Sequence, residues 1–291
     1  MSSEFTLKKK NKSEVFILLG LIIVAISAYF IFSKSSSEET KTLGSHLKIH
    51  YEPTSIGEKS LIEFLNKEVA PDYGLTLEAV GVQDPVQSNR AVNDGEFDAT
   101  IYQHQWWLKQ VVDANGFKLT PTIEIFQWAF GFYSDKYKQL SEIPDGAKVS
   151  IPNDLANQAQ ALWLLERQGL LKLDPNVPSH SAKLKDIIEN PRQFKFIEID
   201  LFSLPRVLDS VDFSIGYVGH FDAGKIPRSK GILFPESPKT FASRLVVATK
   251  NVDDPQIKKL QQVFSDPRLK TFIETTDDLN VRGVLMPVSK E

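Results

Sequence analysis

The sequence predicts an α/β chain folded as two lobes around a cleft, carried behind an N-terminal transmembrane helix. Strand-like and helix-like stretches alternate in βαβαβ order from residue 46, and the same alternation restarts after residue 147. A late apolar stretch, residues 245–249 (LVVAT), then returns to the first lobe. Such an order implies parallel sheets with right-handed crossovers.

Residues 15–32 (VFILLGLIIVAISAYFIF) come first and hold no charge. At 1.5 Å per residue they reach about 27 Å, enough for a hydrocarbon core of about 30 Å. Lys8, Lys9, Lys10 and Lys12 precede them, and the positive-inside rule makes residues 1–14 a cytoplasmic basic tail. The competing reading is a cleavable signal peptide, whose apolar region runs about 7–15 residues to a small-residue cleavage site. The stretch here is longer, and Ser27-Ala28-Tyr29 matches such a site poorly. The adopted expectation is an uncleaved single-pass anchor in the cell membrane, with the binding domain extracytoplasmic. Residues 33–45 form a linker of Ser, Lys, Glu and Thr too polar to join a core.

Residues 46–51 (HLKIHY) alternate as a strand does. Pro53-Thr54-Ser55 breaks the strand, and Thr54 or Ser55 caps a helix. Its apolar residues Ile56, Leu61, Ile62, Leu65 and Val69 recur at helical spacing before Pro71. Strands at residues 75–80 and 97–102 flank a helix at 85–93, and a helix at 105–115 follows. After 118–123, the apolar run at 125–133 is long for one strand and suits a passage between lobes.

The second lobe opens with a strand at 147–151, a turn at Pro152-Asn153-Asp154 and a helix at 158–168 stopped by Gly169. Residues 183–190 read as a short helix halted by Pro191, 194–199 as a strand, 204–208 as the start of a helix and 213–217 as a strand. Residues 255–264 and 267–275 read as closing helices. Lobe 1 is then residues 46–133 and 239–291, and lobe 2 residues 134–238. Two α/β lobes joined by two crossings describe the periplasmic-binding-protein architecture, with a ligand cleft between them.

Composition narrows the function classes. The formal charge of −3 and pI near 6.0 leave no basic footprint for nucleic acid. The absence of cysteine excludes disulfides, thiol catalysis and the acylation site a lipoprotein needs. The five histidines, 46, 50, 104, 180 and 220, include no i, i+4 pair for zinc. There is no G-x-S-x-G, H-E-x-x-H, G-x-G-x-x-G or Walker motif. Asp253-Asp254 and Asp277-Asp278 read as solvated charge. Neither enzyme activity, metal nor cofactor is expected.

The most informative stretch is residues 98–108 (DATIYQHQWWL), a short strand opening into a helix. In doubly wound α/β folds the C-terminal ends of strands face the ligand crevice. Tyr102, His104, Trp107 and Trp128 are placed to enclose an apolar group while imidazole and indole fix polar ones. Trp106 reads as core or surface.

This segment resembles the Asp-Ala…Phe-Gln-His…Tyr-Leu signature of the methionine-binding lipoproteins (NLPA type) that deliver amino acids to ABC importers. Residues 133–140, 143–149, 151–154, 162–173, 186–191, 204–209 and 236–238 are similar to family stretches in the same order. The likeness covers roughly residues 47–275. It implies that Tyr102 and His104 hold an amino acid, with Trp107 and Trp128 where the family has tyrosine. It maps the family's carboxylate-binding arginine to Gln160, its paired asparagines near Tyr217 and Gly219, and a third asparagine near Ser243-Arg244. Gln160 supplies neither the charge nor the bidentate fork of guanidinium. A charge-assisted hydrogen bond is worth about 1.5–3 kcal/mol, so its loss weakens binding about 10- to 150-fold. Either Arg244 replaces the clamp or the ligand is not a free amino acid, ordinary solvation being the competing reading of Arg244.

The expected function is a solute-binding protein of an ABC importer, taking methionine or a related small molecule and docking on a permease at the cytoplasmic membrane. The alternative is a binding module retired from transport, acting as sensor or scaffold with a different small ligand.

Overall fold

The computed structural model describes residues 43–289. The expected basic tail (1–14), apolar span (15–32) and nearly all of the linker (33–45) lie outside the described residues. The chain lays down β1 (His46–Tyr51), β2 (Thr76–Gly81), β3 (Ala99–Thr100) and β4 (Leu119–Glu124). It then crosses through β5 (Gln127–Trp128) into β6 (Phe130–Tyr133) and β7 (Lys148–Pro152). There follow β8 (Lys172–Leu173), β9 (Ile187–Glu189), β10 (Lys195–Ile199), β11 (Phe213–Tyr217) and β12 (Gly231–Leu233). β13 (Arg244–Ala248) and β14 (Leu285–Met286) complete the order.

Two five-stranded sheets result, ordered β2-β1-β3-β13-β4 and β10-β7-β11-β6-β12. In the first, β1 runs parallel to β2 and β3, while β13 is antiparallel to β3 and β4. In the second, β7 runs parallel to β10 and β11, and β6 is antiparallel to β11 and β12. Each sheet therefore has a parallel half whose C-terminal strand ends point toward one crevice. Leu47 and Ile49 of β1, like Val149 and Ile151 of β7, are fully buried. On β1 the alternation of Leu47 and Ile49 with exposed His46 and Lys48 fixes which face meets the helices.

The crossings are tied to each other. Ser243 donates its amide to the Phe126 carbonyl at 2.7 Å, and its own carbonyl accepts the Ile125 amide at 2.9 Å. Ser237 Oγ donates to the Trp128 carbonyl at 2.9 Å. β5 pairs with β14 rather than joining either large sheet. The passage expected within residues 125–133 is thus complete by Phe130, and residues 130–133 pair inside the second sheet rather than closing the first lobe. The cause is packing: all four residues of β6 are buried, and the Tyr133 and Phe221 rings stack at 3.9 Å.

Two local expectations change. Residues 183–190 form a 3₁₀ turn (Leu184–Asp186) and then β9, because β-branched Ile187 and Ile188 favour the pleated pairing with β8. The helix begun at residue 204 is a 3₁₀ segment, Leu201–Ser210, since Pro205 lies inside it and has no amide to donate. Among the described residues no helix is long and apolar enough to cross a membrane. The longest have 13 residues, about 20 Å at 1.5 Å each. The transmembrane helix of the expected fold class therefore finds no support in the described fold.

Candidate functional site

A cavity of about 120 Å³ lies between the lobes. Its walls come from the residues just beyond the C-terminal ends of parallel strands. After β1 come Glu52, Ser55 and Glu58, and after β3 come Tyr102, His104 and Trp107. The second lobe contributes Asn153, Asp154 and Asn157 after β7, and Asp200, Leu201 and Phe202 after β10. Tyr217 ends β11, with Gly219 and His220 just beyond it, and Trp128 of β5 enters from the crossing.

His104 caps the helix Gln105–Asn115, its Nδ1 accepting the Trp107 amide at 3.3 Å. The ring proton then sits on Nε2 and is donated to Asn157 Oδ1 at 3.3 Å, across the cleft. Burial holds the imidazole pKa down at about 4, so the ring is neutral. Asn157 Oδ1 also accepts the Tyr217 hydroxyl at 2.7 Å, and the same hydroxyl lies 3.0 Å from Gln160 Oε1. Asn157 is oriented from behind by Asp154, the cap of helix Leu155–Arg167, which accepts its amide and side-chain N–H at 3.0 Å. The cap of each lobe's helix therefore helps to build the inter-lobe contact.

On the first lobe, the Tyr102 hydroxyl donates to the Pro85 carbonyl at 2.8 Å and accepts Asn89 Nδ2 at 2.6 Å. The Trp107 indole reaches that oxygen at 3.4 Å. Glu58 accepts the Trp128 indole N–H at 3.0 Å and the Glu52 amide at 2.9 Å. Removal from water pushes its carboxyl up to about 8, and burial raises Glu52 as well. The Trp128 ring faces Tyr217 at 5.6 Å, closing an aromatic wall between the lobes.

Of the residues singled out in the sequence, Tyr102, His104, Trp107, Trp128, Tyr217 and Gly219 line the cavity. Gln160 and Arg244 do not. Gln160 is 1% exposed and sits behind Tyr217. Arg244 opens β13 and pairs its Nη2 with Glu124 Oε1 at 2.9 Å and Gln105 Oε1 at 3.4 Å. Its charge is paired on β4, away from the cavity lining.

Residues 53–285 match the NlpA lipoprotein family. This chain belongs to that family. The D-methionine-binding lipoprotein MetQ of Salmonella typhi is 32% identical over 210 residues, 71% of this chain and 77% of that protein. Outer membrane lipoprotein 2 of Mannheimia haemolytica is 35% identical over 211 residues, 71% of this chain and 75% of its own length. A nutrient binding protein from Burkholderia cenocepacia, solved bound to methionine, superposes with a TM-score of 0.68 at 30% identity. That match covers 83% of this chain and 98% of the other.

NlpA membership makes the chain a solute-binding protein and not an enzyme, on the two-lobe periplasmic-binding-protein-like fold. The family also corrects the expected localisation. Its relatives are named as lipoproteins, a class attached through lipid, and no described helix can span a bilayer. The single-pass signal-anchor placement is accordingly withdrawn.

Sequence reasoning within the NlpA frame missed Glu52, Glu58, Asn157, Phe202 and His220. Their common signal is position, since each follows the end of a parallel strand within a few residues. Isolated acids and amides at such places look like ordinary surface polarity until the sheets are paired.

Proposed function

We propose that this NlpA-family chain is the solute-binding component of an ABC importer, closing its lobes on one small solute of the amino-acid class and presenting the closed form to a permease. The observation that carries the reading is the cleft cavity, walled by both lobes and bridged by His104 and Asn157 at 3.3 Å. A ligand there touches both lobes at once, so binding energy is available to favour closure. A cavity of about 120 Å³ is small beside the roughly 300–1,000 Å³ of drug-sized pockets, which fits a solute of a few heavy atoms better than a peptide. The relatives named as D-methionine-binding support methionine or a close analogue.

In this reading Tyr102, His104, Trp107, Trp128, Tyr217 and Gly219 form the contact surface, with Gln160 supporting Tyr217. A thermal-shift screen of the full-length chain against amino acids, their derivatives and short peptides tests it. A stabilising hit that saturates one-to-one is expected; a folded chain that no such compound stabilises would remove the reading. A second reading, a module retired from import, is favoured by one observation: neither lysine nor arginine lines the cavity. Recovery of a permease and its ATPase on affinity capture supports import, whereas capture of a signalling protein in their place supports the second reading.

A further inference from the structure

We infer that Glu58 selects a solute with a free carboxylate, acting as a carboxylic acid whose O–H donates to that group where no arginine is at hand. The inference deepens the solute-binding reading and rests on it. Glu58 borders the cavity yet is only 1% exposed. Its Oε1 accepts the Trp128 indole N–H at 3.0 Å, and its Oε2 accepts the Glu52 amide at 2.9 Å. The Ser55 hydroxyl is a third neutral donor to it. No lysine or arginine lines the cavity, and Lys59, next along the helix, turns outward to Glu63 at 3.4 Å. The charge that does act on Glu58 is that of Glu52, and it is repulsive. Tyr102 faces it from the first lobe, and Asp278 of the C-terminal turn is bonded to Ser60. Burial without a compensating cation keeps the carboxyl protonated up to about pH 8. In that state it is one O–H donor with acceptor capacity left for its three donors.

The other side-chain donors of the first lobe and the crossing are already engaged. The Tyr102 hydroxyl goes to the Pro85 carbonyl and the Trp107 indole to Tyr102. His104 Nε2 and the Tyr217 hydroxyl both go to Asn157 Oδ1. The Glu58 proton, by contrast, has no acceptor among the described residues, since the Glu52 carboxyl takes its hydrogen bonds from Thr54 and the Ser55 amide. His220 keeps an unpartnered Nδ1 across the cleft, but its ring stays neutral above about 4 and so adds no charge. An O–H donated to a carboxylate is one of the short, strong kinds of hydrogen bond, and a carboxylic acid kept neutral by an apolar site is a known way to provide it. Loss of that one proton reverses the contact, because an ionised Glu58 repels the group it had held. Asp154 and Asp200 of the second lobe are left for the ammonium group of the same solute.

Isothermal titration of the full-length chain from pH 6 to pH 9 tests the inference with L-methionine and with L-methioninol, in which an alcohol replaces the carboxylate. Affinity for L-methionine is expected to fall about tenfold over that range as Glu58 ionises through about 8. Binding at pH 8 should take up protons, seen as an enthalpy that varies with the buffer. L-methioninol should bind at least about tenfold more weakly at pH 6, the scale of one charge-assisted contact. Glu58→Gln keeps an N–H donor and cannot ionise. It should bind L-methionine within about threefold of the unaltered chain at pH 6 and lose the alkaline fall. The ligand's own amino group titrates alike with both proteins and cancels in their ratio. Glu58→Leu, of similar size but without a donor, should lose about tenfold or more at pH 6 while unfolding stays cooperative. An alkaline fall that Glu58→Gln reproduces, or L-methioninol binding as tightly as L-methionine at pH 6, overturns the inference and leaves the solute-binding reading intact. Silence from L-methionine at pH 6 also overturns the inference, and a negative thermal-shift screen then removes the broader reading as well.

Discussion

Glu58 carries its carboxyl out of water in the first turn of the helix Ile56–Glu68, and the cost is visible in its titration. Its pKa is raised by burial from 4.5 to about 8. A raised folded-state pKa means that the native state binds a proton which the unfolded state has released. The stability it contributes is therefore full below about pH 4.5 and lost as pH rises through about 8, by up to about 1.4 kcal/mol per pH unit. Buried His50 and His104, with partly buried His220, act in the opposite sense, with pKa values lowered to about 4. Their contribution is full above about 6.5 and is lost as pH falls toward 4. Thermal unfolding across pH 4–9 should show a maximum near pH 6, and Glu58→Gln should flatten the decline above it. An unchanged alkaline limb in the variant would place the titrating group elsewhere. Tyr217→Phe tests the other side of the cleft. It removes the one hydroxyl shared by Asn157 and Gln160, so a buried acceptor loses its donor at a cost of about 1–3 kcal/mol in denaturant unfolding. At this scale the aromatic residues of the cleft were legible because the 98–108 stretch is distinctive. Glu52 and Glu58 were not, because a single acid in a helical or turn setting carries no mark of burial until its sheet is assembled.

The helix Leu155–Arg167 shows how an element's end becomes part of a site. Asp154 accepts the Asn157 amide at 3.0 Å, which ties down one of the unpaired N–H groups at the helix start. The same carboxylate accepts the Asn157 side chain and turns its Oδ1 toward His104 and Tyr217. Asp154→Ala should cost about 0.5–2 kcal/mol of stability, the usual worth of such a cap, and should weaken ligand binding as well. Asp266→Ala, which removes the cap of helix Pro267–Thr275 far from the cleft, should cost stability without changing affinity. Equal affinity loss in both variants would mean that Asp154 matters to folding and not to the cleft. Most elements were legible from pattern and punctuation: β1 alternates, and the helix Gln105–Asn115 runs to a left-handed Gly116. The failures have specific causes. Residues 183–190 show helix-like spacing, but Ile187 and Ile188 find a strand partner in β8. At 201–210 the apolar period is real, and Pro205 converts it to 3₁₀.

At the scale of the whole molecule, closure is held by contacts outside the cavity as well as within it. Trp106, read from sequence as core or surface, stacks on His180 of the second lobe with centroids 3.5 Å apart and planes 8° from parallel. Its indole N–H donates to Thr240 Oγ1, on the returning crossing, at 3.1 Å. No periodicity could reveal this, because the two rings are far apart in sequence and meet only when the lobes approach. Trp106 does not line the cavity, so a change there acts on the open–closed balance and leaves the contact surface intact. A stacked pair of this kind is worth about 0.5–1.5 kcal/mol, and the apparent affinity falls in proportion to the closed fraction it supports. Trp106→Ala should therefore weaken ligand binding by up to about tenfold, mainly through faster dissociation. Small-angle scattering should show a larger radius of gyration without ligand and recovery of the compact value at saturation. If the affinity falls while the scattering of the free chain is unchanged, the stack does not govern closure. The cleft contacts from His104 to Asn157 must then hold the lobes together on their own.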